Sequence, residues 1–130
     1  GAAWARENAK DYTNALTGYT TVTAKTATGV GARAQLRIGH CQMALKKYPE
    51  AAKAFLVVPY TYNYPEYSAQ AWYESGVAYA AMKQPAEAAR SLQQVLRNYP
   101  KSKWAEEAKK LLPEIQKLLP TMNTKRKKNT

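Results

Sequence analysis

The chain has 130 residues, 45% of them hydrophobic, and a mean hydropathy of -0.60, which together indicate one globular domain. No stretch approaches the roughly 18 consecutive apolar residues that a membrane-spanning helix needs, so the composition excludes a transmembrane helix in these residues. Twenty Lys and Arg residues against nine Asp and Glu residues give a formal net charge of +11, which raises nucleic acid, anionic membranes and acidic proteins as partners.

Helical spacing dominates from Ala32 to Leu119, where apolar and small residues recur every three or four positions between prolines and glycines. We expect residues 29–31 to form a turn between helices, and Ser68 and Ser102 to cap helix N-termini. The predicted helices, in chain order, are 5–26, 32–46, 49–62, 68–82, 85–98 and 102–119.

An internal repeat is the most informative feature of the chain. Residues 34–39 align with residues 71–76 at an offset of 37, and the match continues through Phe55/Leu92 and Val58/Val95. The later Tyr-Pro pairs, at 64–65 and 99–100, are only 35 residues apart. We therefore expect two extra residues to lengthen the turn that follows the first unit.

The second unit carries a recognisable pattern. In it, Trp72-x-x-Ser75-Gly76-x-x-Tyr79 is followed by Ala88-x-x-x-Leu92 and then by Pro100. This pattern resembles the tetratricopeptide repeat (TPR), with Ser75 and Leu92 departing from the usual family residues. The first unit resembles the family less fully, because Gln35 and Gln42 stand at the aromatic positions.

The resemblance implies an all-α fold, an α-solenoid of antiparallel helix pairs with about two and a half repeats and a C-terminal cap helix. We expect one TPR-like domain over residues 1–120, with a disordered basic tail at 121–130 that includes Lys125 to Lys128. Within it we place a partial repeat before residue 31, repeats at about 32–66 and 69–102, and the cap helix at about 102–119.

Two local sequences carry a narrower resemblance. The Tyr-Pro-x-Ser sequence at residues 99–102, and the segment from Lys103 to Ala108, are similar to repeats of bacterial cell-envelope proteins. Those relatives are the periplasmic cell-division coordinator and the outer-membrane assembly lipoproteins. The resemblance implies a location in the periplasm or cell envelope of a bacterium rather than the cytoplasm.

The sequence offers little for catalysis. The single cysteine, Cys41, excludes an intramolecular disulfide and a zinc cage of cysteines. Its neighbour His40 would point about 100° away from it on a helix, which disfavours a nucleophilic pair. We predict a protein that is not an enzyme and has no catalytic residue, metal or cofactor.

A concave groove is the expected binding site, because in arrays of this family the first helix of each pair lines the concave surface. The residues that the resemblance places there are Arg33, Leu36, His40, Met43, Gln70, Tyr73, Val77 and Ala80. The strip is mostly apolar, which favours a peptide or amphipathic helix of another protein over a clamped carboxylate. The expected anchors are Leu36, Met43, Tyr73 and Val77.

The predicted function is therefore a non-enzymatic scaffold or adaptor for protein–protein interaction. One alternative is a basic module that binds nucleic acid or anionic lipid. Another is a structural or oligomerisation segment of a longer envelope repeat protein, in which a neighbouring segment or another subunit fills the groove. A group of tyrosines at positions 60, 62, 64 and 67 forms either an aromatic contact surface or packing between repeats.

Overall fold

The computed structural model describes residues 12–25 and 28–119, and in this part of the chain the regular structure is entirely α-helical. The helices are α1 (Tyr12–Lys25), α2 (Gly29–Ala44), α3 (Tyr48–Thr61), α4 (Pro65–Ala81), α5 (Pro85–Asn98) and α6 (Lys103–Gln116). The prediction of an all-α array of helix pairs is confirmed. The expected tail at 121–130, and the part of the first predicted helix before Tyr12, lie outside the described residues.

The helices form two layers. Each helix packs on the next along the chain, and α4 also contacts both α2 and α6. The short connections make successive helices antiparallel, as in other helical arrays. Because α4 touches both α2 and α6 while α3 and α5 do not pack closely on each other, we assign α2, α4 and α6 to the inner layer. The helices α1, α3 and α5 form the outer layer.

The core consists of successive clusters between neighbouring helices, as expected for a repeat array. The central cluster joins α2, α3 and α4 through Leu36, Ala51, Phe55, Val58 and Ala71. Another joins α5 to α6 around Leu92 and Val95, with Trp72 and Tyr79 of α4 against it. Each helix therefore depends for its burial on its immediate neighbours.

Two glycines set how closely the helices of a pair approach. A Cβ atom built on Gly39 would overlap the ring of Phe55, so α2 and α3 are in backbone-to-ring contact there. At Gly76 the corresponding Cβ would lie 3.0 Å from Leu92 Cδ2, a tight but less severe contact between α4 and α5. Large side chains therefore pack against small residues both between α2 and α3 and between α4 and α5.

Helices α2 and α4 end in the same way. Lys46 and Lys83, 37 residues apart, have φ angles of 61° and 60° in the left-handed region. The N–H of the next residue reaches back to the helix, from Lys47 to the Gln42 carbonyl at 2.7 Å and from Gln84 to the Tyr79 carbonyl at 2.9 Å. This is the Schellman arrangement, which usually has glycine at the left-handed position.

The expected turn at residues 29–31 is wrong, because Gly29 begins α2 and Gly31 is buried within it. The Ala32 N–H donates to the Thr28 carbonyl at 3.0 Å, so the first helical turn is closed. Glycine costs a helix about 1 kcal/mol per residue relative to alanine. Burial of Gly31 and Ala32 against neighbouring helices offsets this cost.

Only one of the two expected serine caps is present. Ser102 Oγ accepts the Ala105 N–H at 3.1 Å and caps α6. Ser68 instead lies buried inside α4, which begins one turn earlier at Pro65. Proline suits a first helical position because its φ is already helical and no N–H is needed there.

The two extra residues of the first unit do not lengthen a turn, contrary to prediction. The connection at 62–64 is shorter than the one at 99–102, since α4 starts at its proline whereas Pro100 precedes the start of α6. The two extra residues do not lengthen the connection, because α4 starts earlier relative to its Tyr-Pro pair than α6 does.

We expect Gly39→Ala to lower the free energy of unfolding by about 2–3 kcal/mol, because the new methyl group overlaps the Phe55 ring. Gly76→Ala should change it by less than about 1 kcal/mol, since the gain in helix propensity offsets a milder contact. Urea unfolding followed by circular dichroism measures both. In the double variant Gly39→Ala/Phe55→Leu the two losses should not add; strict additivity would contradict the proposed contact.

Lys83→Gly is expected to raise the free energy of unfolding by about 0.5–1 kcal/mol, because glycine has no Cβ clash in the left-handed region. Thermal and urea unfolding at neutral pH give the value. The matched control is Lys47→Gly, at a position with φ of -94°, where glycine offers no such relief. Equal effects at positions 83 and 47 would mean that backbone strain is not the cause.

Candidate functional site

The predicted groove residues lie on α2 and α4 and differ widely in exposure. Arg33 is exposed, whereas Leu36 is only 4% exposed and belongs to the central core cluster. Leu36 thus forms the floor of the inner surface and not an exposed anchor. The remaining six are half-buried: His40, Met43, Gln70, Tyr73, Val77 and Ala80.

Three of these half-buried residues pack against core clusters. Met43 packs against the core cluster of Phe55 and Val58, and Tyr73 and Ala80 pack against the cluster between α5 and α6. Part of the apolar area of each residue is therefore engaged within the fold. The apolar character expected of the groove is therefore largely used inside the fold.

The first half of the inner surface is a small basic recess between α2 and α4. It has a volume of about 110 Å³ and is lined by Arg33, Leu36, Arg37, His40, Tyr67 and Gln70. Four of these residues were predicted. Arg37 was missed although it follows Arg33 by one helical turn, which places both guanidinium groups on the same face.

A polar contact links the two inner helices at the centre of this surface. His40 Nε2 lies 3.2 Å from Glu74 Oε2, so an imidazole N–H donates to the carboxylate. The His40 ring also meets Phe55 edge to face, with 5.3 Å between ring centroids. His40 thus lies between the two inner helices and lines the basic recess. Glu74 was not predicted, since its role depends on which helix lies opposite.

The second half of the inner surface is aromatic. Tyr73 of α4 and Trp104 of α6 lie 5.5 Å apart between ring centroids at an angle of 34°. Lys103 Nζ lies 4.9 Å from the Trp104 ring centroid, within cation–π distance. These three residues and Glu107 line a recess of about 260 Å³. Trp104 had been assigned only to the cap helix, so sequence analysis missed its part in the site.

Burial is the main reason that the pKa of the Tyr73 hydroxyl is raised above 10.0, and the nearby carboxylates of Glu74 and Glu107 raise it further. The negative charges disfavour the tyrosinate. The inner surface is thus basic near Arg33, whereas the recess beside Tyr73 carries both a cation, Lys103, and an anion, Glu107.

A second concavity, the outer cavity, opens on the other side between α3 and α5. Its volume is about 400 Å³. Trp72 and Tyr79 of α4 lie at its base, and Leu56, Tyr60 and residues of α5 form its walls. Tyr60 meets Trp72 edge to face, with 5.9 Å between ring centroids. In the sequence, Trp72 and Tyr79 stand out only as members of the repeat pattern.

Comparison with known families agrees with this architecture. A sequence profile of the tetratricopeptide repeat matches residues 1–67, more than half of the chain, and a second one matches residues 70–102. The chain belongs to the tetratricopeptide repeat family. No curated protein sequence matches it significantly. Tetratricopeptide repeats are commonly protein–protein interaction modules, and their families are generally non-enzymatic scaffolds. The narrower resemblance to bacterial envelope repeats stays a prediction.

The tyrosine group of this tetratricopeptide repeat chain is not one surface. Tyr60 is 78% exposed, whereas Tyr62 is buried. Tyr64 and Tyr67 contact each other with 6.0 Å between ring centroids, beside α2. Packing thus accounts for Tyr62, whereas Tyr60 and, to a smaller extent, Tyr64 remain exposed.

The described part of the repeat domain, residues 12–25 and 28–119, holds no cluster of three or more His, Cys, Asp or Glu side chains suited to a metal ion. Cys41 is fully buried, as expected for a packing residue. Across the same ranges, no helix has the length and apolar character needed to span a bilayer.

The free energy of unfolding should fall as pH rises above about 10, partly because of Tyr73. Its pKa is raised in the folded state, so the unfolded chain loses this proton first and alkaline pH favours unfolding. We expect a smaller decrease between pH 8 and pH 10.5 in Tyr73→Phe than in the unmodified protein, measured by urea unfolding. In Glu107→Gln the decrease should lie between those of the unmodified protein and Tyr73→Phe. If both variants keep the pH dependence of the unmodified protein, Tyr73 is not a source of it.

Proposed function

We propose that the chain is a non-enzymatic adaptor that binds a peptide or an amphipathic helix of another protein along its inner surface. The observation that carries this proposal is the half-exposed aromatic pair Tyr73 and Trp104 beside a recess of about 260 Å³. Tyrosine and tryptophan are the residues that most often dominate binding at protein interfaces. Such a pair is therefore a suitable central anchor.

The charges along the inner surface suggest how a partner would be oriented. Arg33 and Arg37 line the recess at one end, whereas the aromatic recess at the other end carries both Lys103 and Glu107. A segment with an acidic group at one end would therefore be attracted to place that end at the two arginines. Complementary charges of this kind affect association rate and register more than they affect total affinity.

The inner surface is also held in place before any partner arrives. The His40–Glu74 contact joins α2 to α4, and the Tyr73–Trp104 contact joins α4 to α6. Each contact fixes side chains that would otherwise lose conformational freedom on binding. A preorganised surface pays less entropy for association, which supports a binding role.

A random 16-residue peptide library selected against the intact chain provides the test. We expect Tyr73→Ala to weaken the selected peptides about tenfold or more, as for a central interface aromatic, with affinities measured by calorimetry. Arg33→Glu should weaken acidic peptides by a smaller factor. The matched control is Lys53→Glu, an exposed charge reversal on α3, which should leave affinity unchanged.

Circular dichroism must first show that each variant is folded. Selected peptides that bind folded Tyr73→Ala as tightly as the intact chain would contradict the inner surface as the binding site.

The net charge of +11 favours a second candidate, a basic module for nucleic acid or anionic lipid. In that case binding to single-stranded RNA or anionic vesicles should weaken steeply with salt and with deletion of residues 121–130. Binding at the inner surface should depend less on salt concentration and on this deletion, because salt does not screen apolar and aromatic contacts.

A further inference from the structure

The outer cavity differs from ordinary packing between repeats. The helices α3 and α5 that flank it are not closely packed on each other, so the rings of Trp72 and Tyr79 in α4 lie at the base of an open slot. Its volume of about 400 Å³ falls within the range typical of ligand sites. Tyr60 is 78% exposed and yet rests against Trp72, forming an aromatic wall.

The aromatic base of the cavity distinguishes the second repeat from the first. At an offset of 37, the counterparts of Trp72 and Tyr79 are Gln35 and Gln42. The Gln35 side chain is buried and donates to the Ala54 carbonyl at 3.1 Å, so it is engaged within the fold. The aromatic base is therefore not a property that every helix pair of this chain shares.

Charge determines which ligand suits the cavity. Arg90 is paired with Glu87 at 3.1 Å, so these two charges largely neutralise each other. Arg97, in the last turn of α5, is exposed and forms no ion pair with any residue in the described ranges. The rim thus carries one unsatisfied positive charge next to an aromatic base.

We propose that the outer cavity binds an acidic peptide segment of a partner protein, which inserts one apolar or aromatic side chain between Tyr60 and Tyr79 and places a carboxylate on Arg97. A guanidinium binds a carboxylate with two parallel hydrogen bonds, which fixes the inserted side chain in register. The site lies on the face opposite the inner surface, so one chain can hold two segments at once. The chain's own basic tail is unsuited to it, because Lys125 to Lys128 would be repelled by Arg97.

Three synthetic ten-residue peptides test this proposal. The first has one central phenylalanine flanked by glutamates, the second has lysines in place of the glutamates, and the third has glycine in place of the phenylalanine. Binding is measured by calorimetry and by the shift of the Trp72 indole N–H signal in nitrogen-15 spectra. Only the first peptide should bind measurably and shift the Trp72 signal, with the Trp104 signal unchanged.

Two exposed substitutions then locate the contact. We expect Arg97→Glu to weaken the first peptide about five- to tenfold and Tyr60→Ala to weaken it by a similar factor. Both side chains are exposed, so the fold should be retained. The matched control is Lys53→Glu, which changes the net charge equally at an exposed position that lines neither the outer cavity nor the inner recesses, and it should leave this affinity within twofold.

Several results would overturn the proposal. These are equal binding of the glutamate and lysine peptides, equal loss in Arg97→Glu and Lys53→Glu, or peptide-induced shifts confined to Trp104. If phenylacetate binds as tightly as the first peptide, the ligand of the outer cavity is a small anion and not a peptide. If the intact chain self-associates and Tyr60→Ala abolishes this association, the ligand is a second copy of the chain. Because these peptides probe the outer cavity, their failure leaves the Tyr73 test of the inner surface unaffected.

Discussion

Close approach within each helix pair is the constraint on which the rest of this structure depends. At Gly39 the backbone of α2 meets the Phe55 ring, and at Gly76 the backbone of α4 meets Leu92. These contacts set the distance between the two helices of a pair. That distance in turn determines the orientation in which the next pair packs. The inner helices α2, α4 and α6 then lie side by side, while α3 and α5 diverge. Both candidate binding surfaces follow from that difference in spacing.

The two surfaces offer different chemistry because their helices are spaced differently. On the inner side, neighbouring helices are close enough for side chains to meet across the gap, as in His40–Glu74 and Tyr73–Trp104. Only shallow recesses remain there. On the outer side the gap is wider, and the rings of α4 are reached through it. A chain of modest length can thus present a preorganised strip on one face and a deeper cavity on the other.

The errors of prediction have identifiable physical causes. Residues 29–31 resemble a turn locally, but burial of Gly31 against neighbouring helices outweighs the weak helix propensity of glycine. Ser68 has good capping chemistry, yet Pro65 starts the helix one turn earlier. Leu36 does line the inner recess, but most of its side chain fills the core with Phe55, because helical periodicity places a residue on a face without setting its depth.

Periodicity, proline and glycine spacing and the 37-residue offset were enough to establish helix number, helix order and the repeat family, since each depends on contacts within one helix pair. The position of Tyr73 on the inner face could be inferred for the same reason. The contacts between side chains of different repeats could not be inferred from the sequence. Glu74, Trp104 and Arg97 acquire their surroundings from helices distant in sequence, so the His40 contact, the aromatic pair and the outer cavity depend on tertiary packing alone.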